Sequence, residues 1–362
     1  MRLLSSPGRG VSSLARRKRA LKAAITVFLA LYSLGTLAPF YFLFMRTFVQ
    51  TKDATDLHLW IPPEEGINMQ ADIGNLAVFY NLDLQKVKEG LGIPLTDYLN
   101  PKWSLSRIAE EYGIPEERVK RYLAPFSRYG GWLVLFGDER FWSAVARTFL
   151  VTVASIIGIN ILSIFTGTAL AGLRRRDQMF VYNLYLLEVV IPPFLIILPQ
   201  FMLVQWIQGL VPGYDSPGAA RQIAQLLMLI LIYIKGFAVS TMIFTSYIGS
   251  IPRELEESAE IDGASRVQYI RHVLLPLMKI PMASVTVIML PWFWNDFLRP
   301  FVYLDANNTT LLPLIQSFTG QFTTNFQVVF TGAFVSIVPL VAVYLVFRKG
   351  FIQGVLAGAV KG

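Results

Sequence analysis

Six runs of apolar residues, each near the roughly 20 residues needed to span a bilayer as a helix, dominate this 362-residue chain. They fall at about 23–46, 143–172, 179–207, 222–248, 277–298 and 327–347. In hydrocarbon every backbone N–H and C=O must be satisfied inside the structure, so runs of this length predict helices. The expected fold class is therefore an all-α integral membrane protein. Composition agrees, with 54% hydrophobic residues, 15% charged and a mean hydropathy of +0.50. The chain has no cysteine, which excludes a disulfide framework or a thiolate metal site.

The net charge of +8 is unevenly spread. Residues 49–140 hold ten Lys/Arg and fourteen Asp/Glu, a net of −4, so the remainder carries +12. That excess sits in short segments beside the apolar runs, the pattern of the positive-inside rule rather than of a nucleic-acid surface. Residues 1–22 contain seven basic residues and no acid, including Arg16, Arg17, Lys18 and Arg19, which predicts a cytoplasmic tail. The first apolar run is too long for a signal peptide and lacks a clear cleavage site. Alternation then puts Arg174, Arg175, Arg176, the stretch 250–276 and the tail with Arg348, Lys349 and Lys361 on the cytoplasmic side. Only Arg221 and Arg299 fall in short outward loops. Both termini are expected in the cytoplasm. The implied organisation is a basic tail 1–22, a first transmembrane helix 23–48, an extracytoplasmic helical insert 49–140, a five-helix core 141–348 and a tail 349–362.

The stretch 250–276, SIPRELEESAEIDGASRVQYIRHVLLP, cannot sit in lipid. Its first half has helix-start chemistry: Ser250 as a cap, Pro252 in the first turn, then Glu254, Glu256 and Glu257 at the positive end of the dipole. Gly263 suits the left-handed closing position, and Ser258 and Ala259 leave a shallow face. Glu257, Ser258, Ala259, Gly263, Val273, Leu275 and Pro276 match the Glu-Ala-Ala coupling loop in spacing, with Ser and Val replacing Ala and Ile. The stretch thus resembles the coupling loop of permease subunits of ATP-binding-cassette importers. Further likeness lies in FWSAVARTFLVTVASIIGINILSIFTGTALAGLRRR, although the family usually has Asn where Arg147 stands, and in IPPFLIILPQF and WNDFLRP. The ending FIQGVLAGAVKG is similar to that of carbohydrate-importing, maltose-type permeases, specifically their smaller subunit. Together these cover most of 21–48 and 141–362; the insert falls outside the pattern.

The resemblance implies the six-helix fold of binding-protein-dependent (type I) importer permeases, in the cytoplasmic membrane of a bacterium or archaeon. It implies three protein partners: a second permease subunit in a heterodimer, an ABC ATPase dimer and an extracytoplasmic solute-binding protein. ATP and Mg would be used by the ATPase. This chain has no G-x-x-x-x-G-K-[S/T] phosphate loop, nucleophile elbow or paired-carboxylate site. Its two histidines, His58 and His272, lack neighbours at metal-ligand spacing. No catalytic residue, bound cofactor or metal is expected. ATPase coupling is assigned to Glu254, Glu257, Ser258, Ala259, Asp262, Gly263 and Pro276. Glu257 would pair with a basic residue of the ATPase or merely cap its own helix.

For the translocation path the candidates are Glu188, Pro192, Gln200, Lys235, Trp292, Asn295 and Asp296. Glu188 and Lys235 are ionisable groups within spans, where such groups usually face the bundle interior and often pair; Lys235 facing an anionic sugar is the other reading. Pro192, Pro193 and Pro199 break the third span, either to line a cavity or as a packing kink. Trp292, Trp294, Asn295 and Asp296 combine aromatic faces with hydrogen-bonding groups, as a sugar site does, and equally as an interfacial anchor does. In the insert, LQKVKEGLGIP from Leu84 and LSRIAEEYGIP from Leu105 repeat at an offset of 21, predicting two helix-turn-helix units that dock on a partner or form a plain cap. By resemblance, the loop at 305–325 reaches toward the binding protein, and Asn307, Asn308, Thr309 and Thr310 are polar enough for an exposed probe or an ordinary turn. A permease for a non-sugar solute and a stand-alone ion-gradient transporter are the competing functions. The coupling loop and the absence of a visible inverted repeat count against the second.

Overall fold

The computed structural model describes residues 9–50, 59–61, 66–80, 82–215, 217–235, 238–319 and 325–359. Residues 1–8, 51–58 with His58, 62–65, the loop segment 320–324 and the last three residues of the terminal signature lie outside the described residues. The elements in chain order are α1 (Arg9–Arg46), α2 (Ile73–Tyr80), α3 (Leu84–Leu91), α4 (Leu105–Glu111), α5 (Glu116–Gly137), α6 (Glu139–Ala171), α7 (Arg175–Val190), α8 (Pro193–Gln208) and α9 (Ala219–Ile234). There follow α10 (Ala238–Ile248), α11 (Glu254–Ile261), α12 (Arg266–Tyr269), a π-turn (Ile270–Leu274), α13 (Leu275–Leu277), α14 (Lys279–Trp294), α15 (Leu298–Tyr303), α16 (Leu311–Ser317) and α17 (Phe326–Ala359). The described residues contain no named strand; one isolated bridge joins Asp72 to Ser104. The all-α expectation is met.

Among the described residues three helices are long and apolar enough to cross a membrane: Arg17–Arg46, Glu139–Ala171 and Phe326–Arg348. Two bent pairs also have the length and composition of a span, α9 with α10 at 52° and Val267–Leu277 with Lys279–Trp294 at 58°. The run 179–207 is broken into α7 and α8, as Pro192 and Pro193 imply, whereas Pro199 lies inside α8. Ile191 (φ −79°, ψ 118°) and Pro192 (φ −58°, ψ 134°) are both extended. Each precedes a proline, whose ring clashes with a helical residue before it. Pro193 then starts α8 at the position where its missing N–H costs nothing.

The chain divides into two compact units, Met1–Trp132 with Asn325–Phe334, and Leu133–Thr324 with Val335–Gly362. The first unit carries its own core, in which Ile73, Val87, Leu91, Leu105, Ile108, Val119 and Leu123 are buried. The two repeats form α3 and α4, capped by the side chains of Asp83 and Ser104 and followed by glycines at φ +78° and +61°. Only the second continues into a helix, α5; after Pro94 the chain makes turns instead, so one helix-turn-helix unit forms from the pair rather than two. Within the same unit, Trp132 Nε1 donates to Thr47 Oγ1 at 3.2 Å, and Phe44 and Trp132 both contact the Phe334 ring.

The second unit is built around α6, which begins at the Asp138 cap: Asp138 Oδ1 accepts from Arg140 N at 2.8 Å. Val151 and Ile159 of α6 are buried with Leu229 and Tyr233 of α9, Phe244 of α10 and Val285, Met289 and Phe293 of α14. Gly167 allows α6 to approach α10 closely; a Cβ there would lie 2.9 Å from Phe244 Cβ and 3.1 Å from Thr245 N. Nearby, Ser163 Oγ donates to Ser240 Oγ at 3.0 Å, tying the same two helices. Burying two hydroxyls is tolerable because each serves the other.

Candidate functional site

The exposed turn at 250–276 has the local geometry that its residues predict, with one change. Ser250 is not the cap of α11. Its hydroxyl donates to Tyr247 O at 2.6 Å, and α11 starts at Glu254 with Arg253 at the cap position and no side-chain cap bond. Pro252 lacks an N–H and leaves the first turn to backbone bonds, Glu256 N and Glu257 N to Arg253 O at 2.9 and 3.0 Å. At the other end Gly263 has φ +77°. Its N–H donates to Glu260 O at 3.0 Å, and Ala264 N–H donates to Ala259 O at 2.9 Å. That pair of bonds is the Schellman closure, which consumes two of the orphan carbonyls.

Ser265 and Gln268 then cap α12 reciprocally, at 2.7 and 3.4 Å. Leu274 at the end of the π-turn and Met278 beyond it are buried in the core, so the exposed turn is rooted in the helical bundle. No residue of α11 is buried. Glu254, Glu257, Ser258, Asp262, Gly263 and Pro276 are exposed and Ala259 is half-buried. Among the described residues the Glu257 carboxylate has neither a hydrogen bond nor an ion pair. Ile261 is 86% and Val267 72% exposed, an apolar pair beside three carboxylates, on a surface too polar for lipid.

A cavity of about 420 Å³ lies among α7, α8, α9, α14 and α15. Six of the seven residues predicted for the path line it: Glu188, Gln200, Lys235, Trp292, Asn295 and Asp296. Pro192 does not. Its part is the break in the span, four residues after Glu188 has entered the wall from α7. Lys235 stands where α9 ends. There the Glu188 and Lys235 side chains meet, Nζ to Oε1 at 3.0 Å, a contact between positions 47 apart that no local pattern encodes.

The sequence reading missed Arg299. Its guanidinium donates to Asp296 Oδ2 at 2.8 Å, and its backbone N, in the first turn of α15, donates to Asp296 Oδ1 at 3.3 Å. The Tyr233 hydroxyl donates to the same carboxylate at 2.9 Å, and the Arg299 guanidinium lies 5.7 Å from the Tyr233 ring centroid. The available signal was the three-residue spacing of Asp296 and Arg299, which across the start of a short helix lets the two side chains meet. Gln200 Oε1 accepts from the Tyr303 hydroxyl at 3.0 Å. The Trp292 ring is 66% exposed.

The loop after α15 is a correction. Of the four residues read as an exposed probe, Asn308, Thr309 and Thr310 are buried, and only Asn307 is exposed. Asn308 Nδ2 donates to Gln222 O and Gln225 Oε1, both at 3.0 Å. Leu311 N donates to Thr148 Oγ1 at 2.8 Å, and Arg147 donates to Thr309 O at 3.4 Å. Asp305 accepts two bonds from Arg221, at 2.6 and 2.9 Å. These bonds from Arg221 hold the Asp305 carboxyl below its ordinary range. Asn308 and Asp305 thus anchor the loop through their side chains, and Thr309 and Leu311 through their backbones. Among the described residues no cluster of His, Asp or Glu has the arrangement of a metal site.

Comparison with known proteins agrees with this architecture. Residues 159–355 match the family described as "Binding-protein-dependent transport system inner membrane component". Similar relatives include a multiple sugar-binding transport system permease protein of Streptococcus mutans, 28% identical over 221 residues, 58% of this chain and 74% of that protein. A melibiose/raffinose/stachyose import permease protein of Bacillus subtilis is 30% identical over 206 residues, 56% of this chain and 71% of that one. In fold, the chain resembles a chain of a bacterial ABC transporter that imports the acidic polysaccharide alginate. The TM-score is 0.58 at 17% identity, over 96% of this chain and 99% of that one.

Proposed function

Because this chain belongs to the family of inner membrane components of binding-protein-dependent transport systems, we propose that it is a multi-pass permease subunit carrying a sugar or oligosaccharide through an ATP-driven importer. The observation that carries the coupling half of this reading is the exposed element around Gly263. It is a rigidly closed helix end bearing Glu254, Glu256 and Glu257, with Ile261 and Val267 bare to solvent. A surface that is both apolar and acidic, and rooted through Leu274 and Met278 in the membrane bundle, suits a basic-rimmed cleft of a partner. In this reading an ABC ATPase dimer supplies that cleft and uses ATP and Mg, and this chain catalyses nothing and binds no cofactor. A ligand shifts a two-state equilibrium only through differential affinity. ATP closing the ATPase dimer therefore moves the seated element, and the element moves the helices it continues into.

The cavity lined by Glu188, Gln200, Lys235, Trp292, Asn295 and Asp296 is the solute path of this half, and a second permease subunit completes it. Both termini and the 250–276 turn are cytoplasmic, in the inner membrane of a bacterium or archaeon. The insert 49–140 and the loop carrying Asn307 lie outside, toward the solute-binding protein. The relatives named for oligosaccharide import support the solute class.

The test is uptake by the assembled importer carrying Glu257→Lys. Insertion and co-purification of the second permease are expected to persist, while uptake and co-purification of the ATPase fall to background. Retained transport defeats the coupling assignment. Since the chain lacks cysteine, Ser265→Cys gives a single label site. Reaction with an impermeant maleimide added outside intact cells would defeat the orientation.

A further inference from the structure

Resting on the saccharide-permease reading above, we propose that this cavity is built for an uncharged polyhydroxylated solute. Glu188 is its specificity-determining residue, because it masks the charge of Lys235. Four ionisable side chains line the cavity, two carboxylates and two cations. Each lies against an opposite charge, Lys235 with Glu188 at 3.0 Å and Arg299 with Asp296 at 2.8 Å. The formal charge of the wall is therefore zero, and each cation already aims a donor at a carboxylate. An anionic solute entering such a space sheds water and meets no unmatched cation in return, which is unfavourable.

The two pairs differ in kind. Asp296 is 9% exposed and is also held by the Tyr233 hydroxyl and the Arg299 backbone, so that pair belongs to the framework. Lys235 is 40% and Glu188 26% exposed, and among the described residues each has only the other as a charged partner. This second pair faces the solute and sets the field it feels. What else projects into the space is neutral: the broad exposed face of Trp292, the Asn295 amide, and Gln200, whose carbonyl oxygen is taken by Tyr303. An aromatic face with amide donors matches the C–H face and hydroxyls of a pyranose.

The test uses saturation-transfer NMR on the purified permease–ATPase complex in detergent, with a neutral galactose trisaccharide and with trigalacturonate as probes. The native complex is expected to transfer saturation to the neutral trisaccharide and not to the uronate. Glu188→Gln, nearly isosteric, frees the Lys235 ammonium and should raise uronate affinity by up to roughly tenfold, the scale of one ion pair that is partly screened by solvent. The double variant Glu188→Gln with Lys235→Met removes the freed charge and should lose the uronate again while still co-purifying with the ATPase. Uronate binding by the native complex, or no gain in Glu188→Gln, overturns the charge assignment and leaves the saccharide reading standing. No transfer to either sugar in the native complex overturns both.

Discussion

Replacing Gly263 tests the closed end of α11 with a magnitude that the structure supplies. At φ +77° the residue is left-handed, and a Cβ added there would meet nothing within 4 Å. The cost of Gly263→Ala is therefore purely conformational, about 1–2 kcal/mol for an L-residue in that region. That range lowers the population of the closed turn by roughly five- to thirtyfold relative to open alternatives. Gly263→Asn should cost least, because Asn tolerates this conformation. Gly263→Pro should cost most. Its ring fixes φ near −65° and removes the N–H that donates to Glu260 O at 3.0 Å, adding about 1 kcal/mol for the lost bond. The assay is solute-stimulated ATPase activity of the reconstituted importer at equal membrane insertion. The expected order of residual activity is Gly, Asn, Ala, Pro. Full activity in both the Ala and Pro variants, or the reverse order, would refute the role of this turn in force transmission.

Gly167→Ala puts a methyl group 2.9 Å from Phe244 Cβ and 3.1 Å from a backbone nitrogen. Neither atom is the free end of a side chain, so α6 and α10 must part at a cost of about 1–3 kcal/mol, read as a lower unfolding temperature in detergent; an unchanged temperature contradicts the close approach. Asp305, whose carboxyl is held low by Arg221, stabilises the loop fully above the ordinary carboxylate value and loses that contribution as pH falls through the lower folded value. Asp305→Asn should therefore flatten the acid limb of a stability–pH curve, and an unaltered limb would count against the pairing. Deleting residues 60–130 is expected to reduce binding-protein stimulation of the ATPase without abolishing basal hydrolysis; unchanged stimulation would make the insert a plain cap.

Much of this protein is legible before it folds, because those features are set by neighbours in the chain. Long apolar runs must be helices in lipid, whatever surrounds them. Gly263, Asp83, Ser104 and Asp138 act through bonds to residues one turn away, so their end-of-helix roles follow from local pattern. Successive prolines likewise divide 179–207 as their ring chemistry dictates, while local rules misread where two of them compete: Pro252 delays the start of α11 and leaves Ser250 bonded backward to Tyr247. The repeated LGIP and YGIP ends both turn left-handed, yet only one is followed by a helix, since LTDYLN carries no helical periodicity and PEERVKRYL does. What the tertiary structure alone decided is which distant groups meet. Glu188 finds Lys235, Arg221 finds Asp305, Gln225 takes the Asn308 amide and Thr148 the Leu311 backbone N–H. Pairings of that kind depend on how four or five helices pack, and a one-dimensional pattern carries charge and spacing but not the distance between faces.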